Sequence, residues 1–113
     1  MILCRVTENV TADVKLQVTR TRPVPGWVWV SQLAPSEKLF RQYLNWRKQD
    51  LWPGKWPEYE SAFLREMEGM KKYLDRIEEH LRAGRSVALA CFCREVRYCH
   101  RNLLGQYFMR KGF

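Results

Sequence analysis

Residues Ser86 to Phe108 read SVALACFCREVRYCHRNLLGQYF, and the fold is set by how this stretch is parsed. Val87-Ala-Leu-Ala-Cys91 is short, apolar and bounded by Gly84 on one side and Arg94-Glu95 on the other, which is the pattern of a buried strand. Leu103, Leu104, Tyr107 and Phe108 then recur at helical spacing. Strand, loop and helix follow in that order. The loop carries the reactive residues: Cys91, Cys93, Arg94, Arg97, Cys99, His100 and Arg101. In open α/β sheets, ligands sit beyond the carboxyl ends of strands, where the next helix points free N–H groups. The site is expected there.

Working outward, the preceding segment is a long amphipathic helix. Trp56, Tyr59, Phe63, Met67, Met70, Leu74, Ile77 and Leu81 are spaced 3, 4, 4, 3, 4, 3 and 4 apart, which puts all eight on one face. Pro57 suits its first turn and Gly84 follows its end. Gly69 sits mid-helix, where it costs up to ~1 kcal/mol against alanine and is expected to permit close packing. The Met and aromatic stripe reads as core. Before it, Ser36 is an N-cap for a helix running to about residue 49, with Leu39 where a capping box would need Glu or Gln. Leu51-Trp-Pro-Gly-Lys-Trp-Pro57 breaks that helix. Toward the N-terminus, Ile2–Val6 reads as a first strand. Val14-Lys-Leu-Gln-Val18 alternates apolar and polar, as a half-buried strand does. Arg22-Pro-Val-Pro-Gly26 is a turn, and Trp27-Val-Trp-Val30 is a short strand or an aromatic anchor. The order β-β-(β)-α-α-β-α belongs to a small α/β layer fold.

A chain of 113 residues builds one domain with one core. No apolar run approaches the ~20 residues of a membrane span, and MILCRVTEN lacks a basic-then-apolar leader pattern. The expectation is a cytoplasmic protein with no membrane partner, whose four cysteines are thiols. The net charge of +8 is unevenly spread. Residues 36–81 hold nine basic and nine acidic residues, whereas residues 82–113 hold seven basic residues against Glu95 alone. That excess around the Cys/His loop suits an anionic partner, whether phosphate, nucleotide or nucleic acid, and equally a solvated basic surface.

The loop allows three readings. A thiol at the start of the last helix, with Arg94, Arg97 and Arg101 near in sequence, is expected to have a lowered pKa, and His100 is its neighbour. Arginines and helix N–H groups together hold anions. Alternatively, Cys91, Cys93, Cys99 and His100 supply three sulfurs and a nitrogen, a valid zinc set. However, C-x-C-x5-C-H is not a standard finger spacing, and adjacent Cys99 and His100 are expected to diverge. The third reading is structural, with buried thiols acting as small hydrophobes and His100 capping a backbone group. Cys91 to Arg97 also spells C-x5-R, but Phe-Cys-Arg-Glu-Val between them has no glycine and cannot form a phosphatase loop. His80 reads as a surface residue. The five tryptophans read as core or loop anchors, although aromatics among basic residues can also stack bases.

Leu33-Ala-Pro-Ser36, Trp56-Pro-x-Tyr59-x3-Phe63-x3-Met67, and Cys91 followed by Cys99-His100-Arg101 and Leu103-Leu104 resemble the domain-of-unknown-function 488 family from about Val18 to Phe108. The resemblance implies a small three-layer α/β sandwich with a Rossmann-like, mostly parallel sheet and flanking helices. It supplies no established reaction. The family's shared polar residues would map onto Cys91, Cys99, His100, Arg101 and Ser36. Two departures stand out. Many members carry an acidic residue where this chain has Cys93, which moves any carboxylate role to Glu95. Many also continue past the last helix into another strand, so a shorter sheet, or an edge that pairs with a second copy as a homodimer, is expected here.

The resulting expectation is a pocket for a phosphorylated or nucleotide-like small molecule. Cys91, Cys99 and His100 would be catalytic, and Arg97, Arg101 and Ser36 would bind the ligand, with no metal or cofactor assigned. A nucleic-acid-binding protein and a zinc-stabilised interaction module are the rivals.

Overall fold

The computed structural model describes all residues from 1 to 113. Four strands form one sheet in the order β1 (Ile2–Arg5), β4 (Val87–Cys91), β2 (Val14–Gln17), β3 (Val28–Trp29), and every neighbouring pair is parallel. β4 lies inside the sheet, and all five of its residues are buried. A parallel strand covered on both faces has no polar side to show, which is why Val87–Cys91 reads as a continuous apolar run. Cys4 lies beside Ala90 and Arg5 beside Cys91, so β1 and β4 end together. At the other end, the Asp13 and Ser86 N–H groups donate to each other's side chains at 2.8 Å and fix where β2 and β4 begin.

Four helices complete the fold: α1 (Glu37–Lys48), α2 (Trp56–Met67), α3 (Lys71–Arg82) and α4 (His100–Arg110). Their buried residues pack on one face of the sheet, against Leu16, Val18, Val87 and Leu89. On the opposite face, the small residues Cys4, Ala88 and Ala90 are covered by Val10, Ala12, Val24 and Trp27, which come from connecting segments instead of helices. The result is a small α/β fold with a parallel sheet.

The long stripe from Trp56 to Leu81 faces the core as its spacing requires, with Tyr59, Phe63, Met67, Met70, Leu74 and Ile77 buried. The helix is not continuous. A 3-10 turn at Glu68–Met70 separates α2 from α3, centred on Gly69, the poorest helix former in the segment. Gly69 is exposed and nothing lies within 4 Å of its Cβ direction, so close packing is not its role. Gly105 has that role instead. A Cβ there would stand 3.0 Å from Leu3 Cδ1, and the missing side chain lets α4 lie against β1.

Ser36 caps α1, accepting from the Leu39 N–H at 3.2 Å. The carboxylate that a local capping box would supply comes instead from α2. Glu66 accepts the Ser36 N–H at 2.7 Å and the Ser36 hydroxyl at 2.5 Å. The tryptophans act as anchors. Trp27 donates to the Val6 carbonyl and Trp29 to that of Thr19, while Trp46, Trp52 and Trp56 pack with Tyr43 and Tyr59.

Candidate functional site

Beyond the carboxyl ends of β2 and β4 lies a hollow of about 250 Å³. Its floor is Cys91, Cys99 and His100, and its walls include Tyr43, Phe92 and Tyr98. A second, more open hollow of about 560 Å³ adjoins it and shares Tyr43, Arg47, Phe92, Cys93 and Tyr98. Strand β4 stops at Cys91, the chain bends through Phe92–Glu95, and α4 begins at His100 with Cys99 as its extended N-cap residue. Three thiols are thereby gathered from a strand end, a bend and a helix start. Their sulfurs all lie within 4.8 Å of one another, and the Cys91 and Cys93 sulfurs are 3.9 Å apart.

The electrostatics of this trio differ from the sequence expectation. Cys99 is not the low-pKa thiol. Its hydrogen bonds to the neighbouring sulfurs, together with burial, hold it well above the ordinary thiol range. Arg94 and Arg97 are exposed, and Arg101 is turned to backbone carbonyls, so no arginine activates Cys99. Cys93 is the lowered thiol, because Cys91 and Cys99 direct hydrogen bonds to its sulfur. Cys91, which donates to Cys93, is pushed up to about 11. The Tyr43 hydroxyl is pushed up to about 12, first by burial and then by the negative charge at Cys93. Burial raises Tyr59 further still, reinforced by the three cysteines.

His100 does not diverge from Cys99. Because Cys99 is extended, its sulfur lies 3.7 Å from His100 Nδ1. His100 Nε2 is 2.5 Å from the Val18 carbonyl, which only accepts, so Nε2 carries the proton and Nδ1 keeps its lone pair. Burial lowers the pKa of this ring, with the Val18 carbonyl opposing the shift, and Phe63 packs against it edge-on.

Arg101 is fully buried and lies outside the hollow. Its guanidinium donates to the carbonyls of Cys4, Cys91 and Cys93, which ties β1, β4 and the bend together. Arg97 is exposed, lies over the Tyr98 ring at 5.3 Å and lines neither hollow, so C-x5-R has no structural meaning here. Ser36 is occupied with its cap and with Glu66. Glu95 lines only the open hollow.

The basic groups that do reach the hollow are Arg20, Arg22 and Arg47, from distant parts of the chain, and no Asp or Glu lines it. Arg20 donates to the Pro35 carbonyl, Arg22 lies over Phe92, and Arg47 donates to the Tyr43 hydroxyl. The loop bearing Arg20 and Arg22 is shaped by Gln17, which is fully buried although the strand alternation puts it on a polar face. Its amide donates to Thr19 Oγ1 and the Arg22 carbonyl, and its oxygen accepts the Val24 N–H. A glutamine between two apolar strand residues is the one sequence signal for this loop, since a buried amide needs local partners.

A parallel α/β domain whose sheet end carries clustered thiols, a buried imidazole and arginines is the class that fold and site define. Within that class the chain belongs to the DUF488-N3a family, described as the active DUF488-N3 subclade, whose model matches residues 4–112. No curated protein and no solved structure matches it. No helix is long and apolar enough to cross a membrane.

Proposed function

We propose that the hollow beyond β2 and β4 binds a small anion with a planar apolar part, a phosphorylated or nucleotide-like molecule. The observation that carries this reading is the lining: three arginines, no carboxylate, and the aromatic rings of Phe40, Tyr43, Phe92 and Tyr98. Guanidinium groups suit phosphate oxygens, and rings suit a base or other flat group. The position at a strand end facing a helix start supports the same reading. Cys93 is the half-buried thiol on the wall, so it is the sulfur a bound molecule meets first, with Cys91, Cys99 and His100 behind it.

The nucleic-acid reading has less support. Of the basic residues after Leu81, Arg82 and Lys111 both pair with Glu78 and Arg101 is buried, so the local excess does not form one surface.

The test is a binding screen with inorganic phosphate, nucleoside mono- and diphosphates, phosphorylated sugars and a short oligonucleotide. Saturable binding of a phosphorylated compound, weakened at least tenfold in Arg47→Ala and Arg20→Ala, is expected. No binding of any anion, or equal binding by the arginine variants, refutes the reading. Preference for the oligonucleotide with a steep salt dependence would favour the rival.

A further inference from the structure

We propose that Cys91, Cys93 and Cys99 form a binding site for a thiophilic divalent metal ion, of which zinc is the ordinary cellular example. Four observations support it. The three sulfurs lie within 4.8 Å of one another. Around a tetrahedral zinc with zinc–sulfur bonds of about 2.3 Å, sulfurs stand about 3.8 Å apart. The Cys91–Cys93 separation of 3.9 Å already meets that spacing, and the third sulfur needs a shift of about an ångström at most to meet it.

The donors are also held from outside. Cys91 ends the innermost buried strand and Cys99 caps α4. Arg101 fastens the Cys91 and Cys93 backbones through their carbonyls. His100 completes no fourth corner of the sulfur group. It stands behind, with Nε2–H on the Val18 carbonyl and the Nδ1 lone pair beside Cys99 Sγ, the outer arrangement that holds a ligating residue in place.

The third observation is the donor chemistry. An all-sulfur set selects soft or borderline ions over magnesium or calcium. Three protein ligands leave one coordination position unfilled, and half-buried Cys93 puts that side toward the hollow.

The fourth is charge. Arg101 is fully buried, no carboxylate pairs with it, and its Nε has no acceptor. A buried cation calls for a counter-charge. Three thiolates around a divalent ion carry one net negative charge, which Arg101 balances; a monovalent ion would leave the group doubly negative. On binding, three sulfur–metal bonds form; the S–H bonds of Cys91 and Cys99 break and their two protons leave to solvent, while Cys93 enters as the thiolate.

The experiment uses the full chain, stripped with chelator under a non-thiol reductant and shown by thiol titration to hold four free thiols. Zn²⁺ alone is titrated against a chromophoric chelator, and Cd²⁺ alone is followed by its thiolate charge-transfer band. One equivalent of each per chain is expected, with proton release. Cys93→Ser should weaken zinc binding by more than the ~10–100-fold typical of losing an outer partner. Because that variant could misfold, a second measurement uses the parent chain: one equivalent of Zn²⁺ should slow alkylation of Cys93 at least tenfold. Absence of a one-equivalent site in the reduced parent, or alkylation of Cys93 at an unchanged rate, overturns the proposal. So does parental affinity in a Cys93→Ser chain that is folded by circular dichroism. No anion enters this experiment, so its failure leaves the arginine-lined hollow untouched, and failure of the anion screen leaves the metal site untouched.

Discussion

Replacing Arg101 with methionine isolates what the buried guanidinium does for the sheet end. Methionine is long and apolar, so it fills most of the volume while removing the donors. Three carbonyls are affected: those of Cys4, Cys91 and Cys93. The Cys91 carbonyl keeps the Val6 N–H at 3.1 Å, so its loss is small. The Cys4 and Cys93 carbonyls each lose a bond from a charged donor, worth about 1.5–3 kcal/mol. Against this, the variant no longer buries a cation, which recovers part of the loss. The balance is a destabilisation of about 3 kcal/mol, or roughly 12 °C in Tm for a domain a little over 100 residues long. Arg101→Lys should fall between, because one ammonium cannot span carbonyls on both sides. Denaturant unfolding followed by tryptophan fluorescence gives the free energy, and a thermal scan gives Tm. An Arg101→Met chain within about 1 kcal/mol of the parent would refute the clamp. Arg101 would then have to be explained by a ligand, as the sequence motif suggests.

Gly105→Leu should destabilise by about 1–3 kcal/mol through overpacking on Leu3, and combining it with Leu3→Ala should recover part of that in denaturant melts. Gly69→Ala, which meets nothing within 4 Å, should stabilise by about 0.5–1 kcal/mol and raise helix content by circular dichroism. Gln17→Leu leaves the Val24 N–H without its acceptor and the Arg22 carbonyl without its donor. It should increase hydrogen exchange across residues 19–24 and weaken anion binding, although Gln17 does not line the hollow. Glu78 has its pKa lowered by hydrogen bonds from Lys111 and Arg82. Its folded pKa lies below its unfolded value of about 4.3, so its contribution is present above that value and is lost as pH falls through the folded pKa. A Tm-against-pH series should therefore show a shallower acid decline for Glu78→Gln than for the parent.

Local pattern alone determined the buried strand, the apolar helical face and the placing of the thiols between a strand end and a helix start. Val87–Cys91 is an unbroken apolar run because an inner parallel strand is covered on both faces. The 3,4-spaced stripe from Trp56 to Leu81 marks one buried helical face, and Ser36 marks a cap; each of these depends on residues a few positions apart. Only the tertiary structure decided which arginines face the hollow. Arg97 and Arg101 are near the thiols in sequence, yet one is exposed and the other clamps carbonyls, while Arg20 and Arg22 arrive from the loop after β2 and Arg47 from α1. It likewise decided that Cys93, not Cys99, is the lowered thiol. A sulfur's charge depends on the groups that fold places against it, and proximity along a chain carries little information about direction in space.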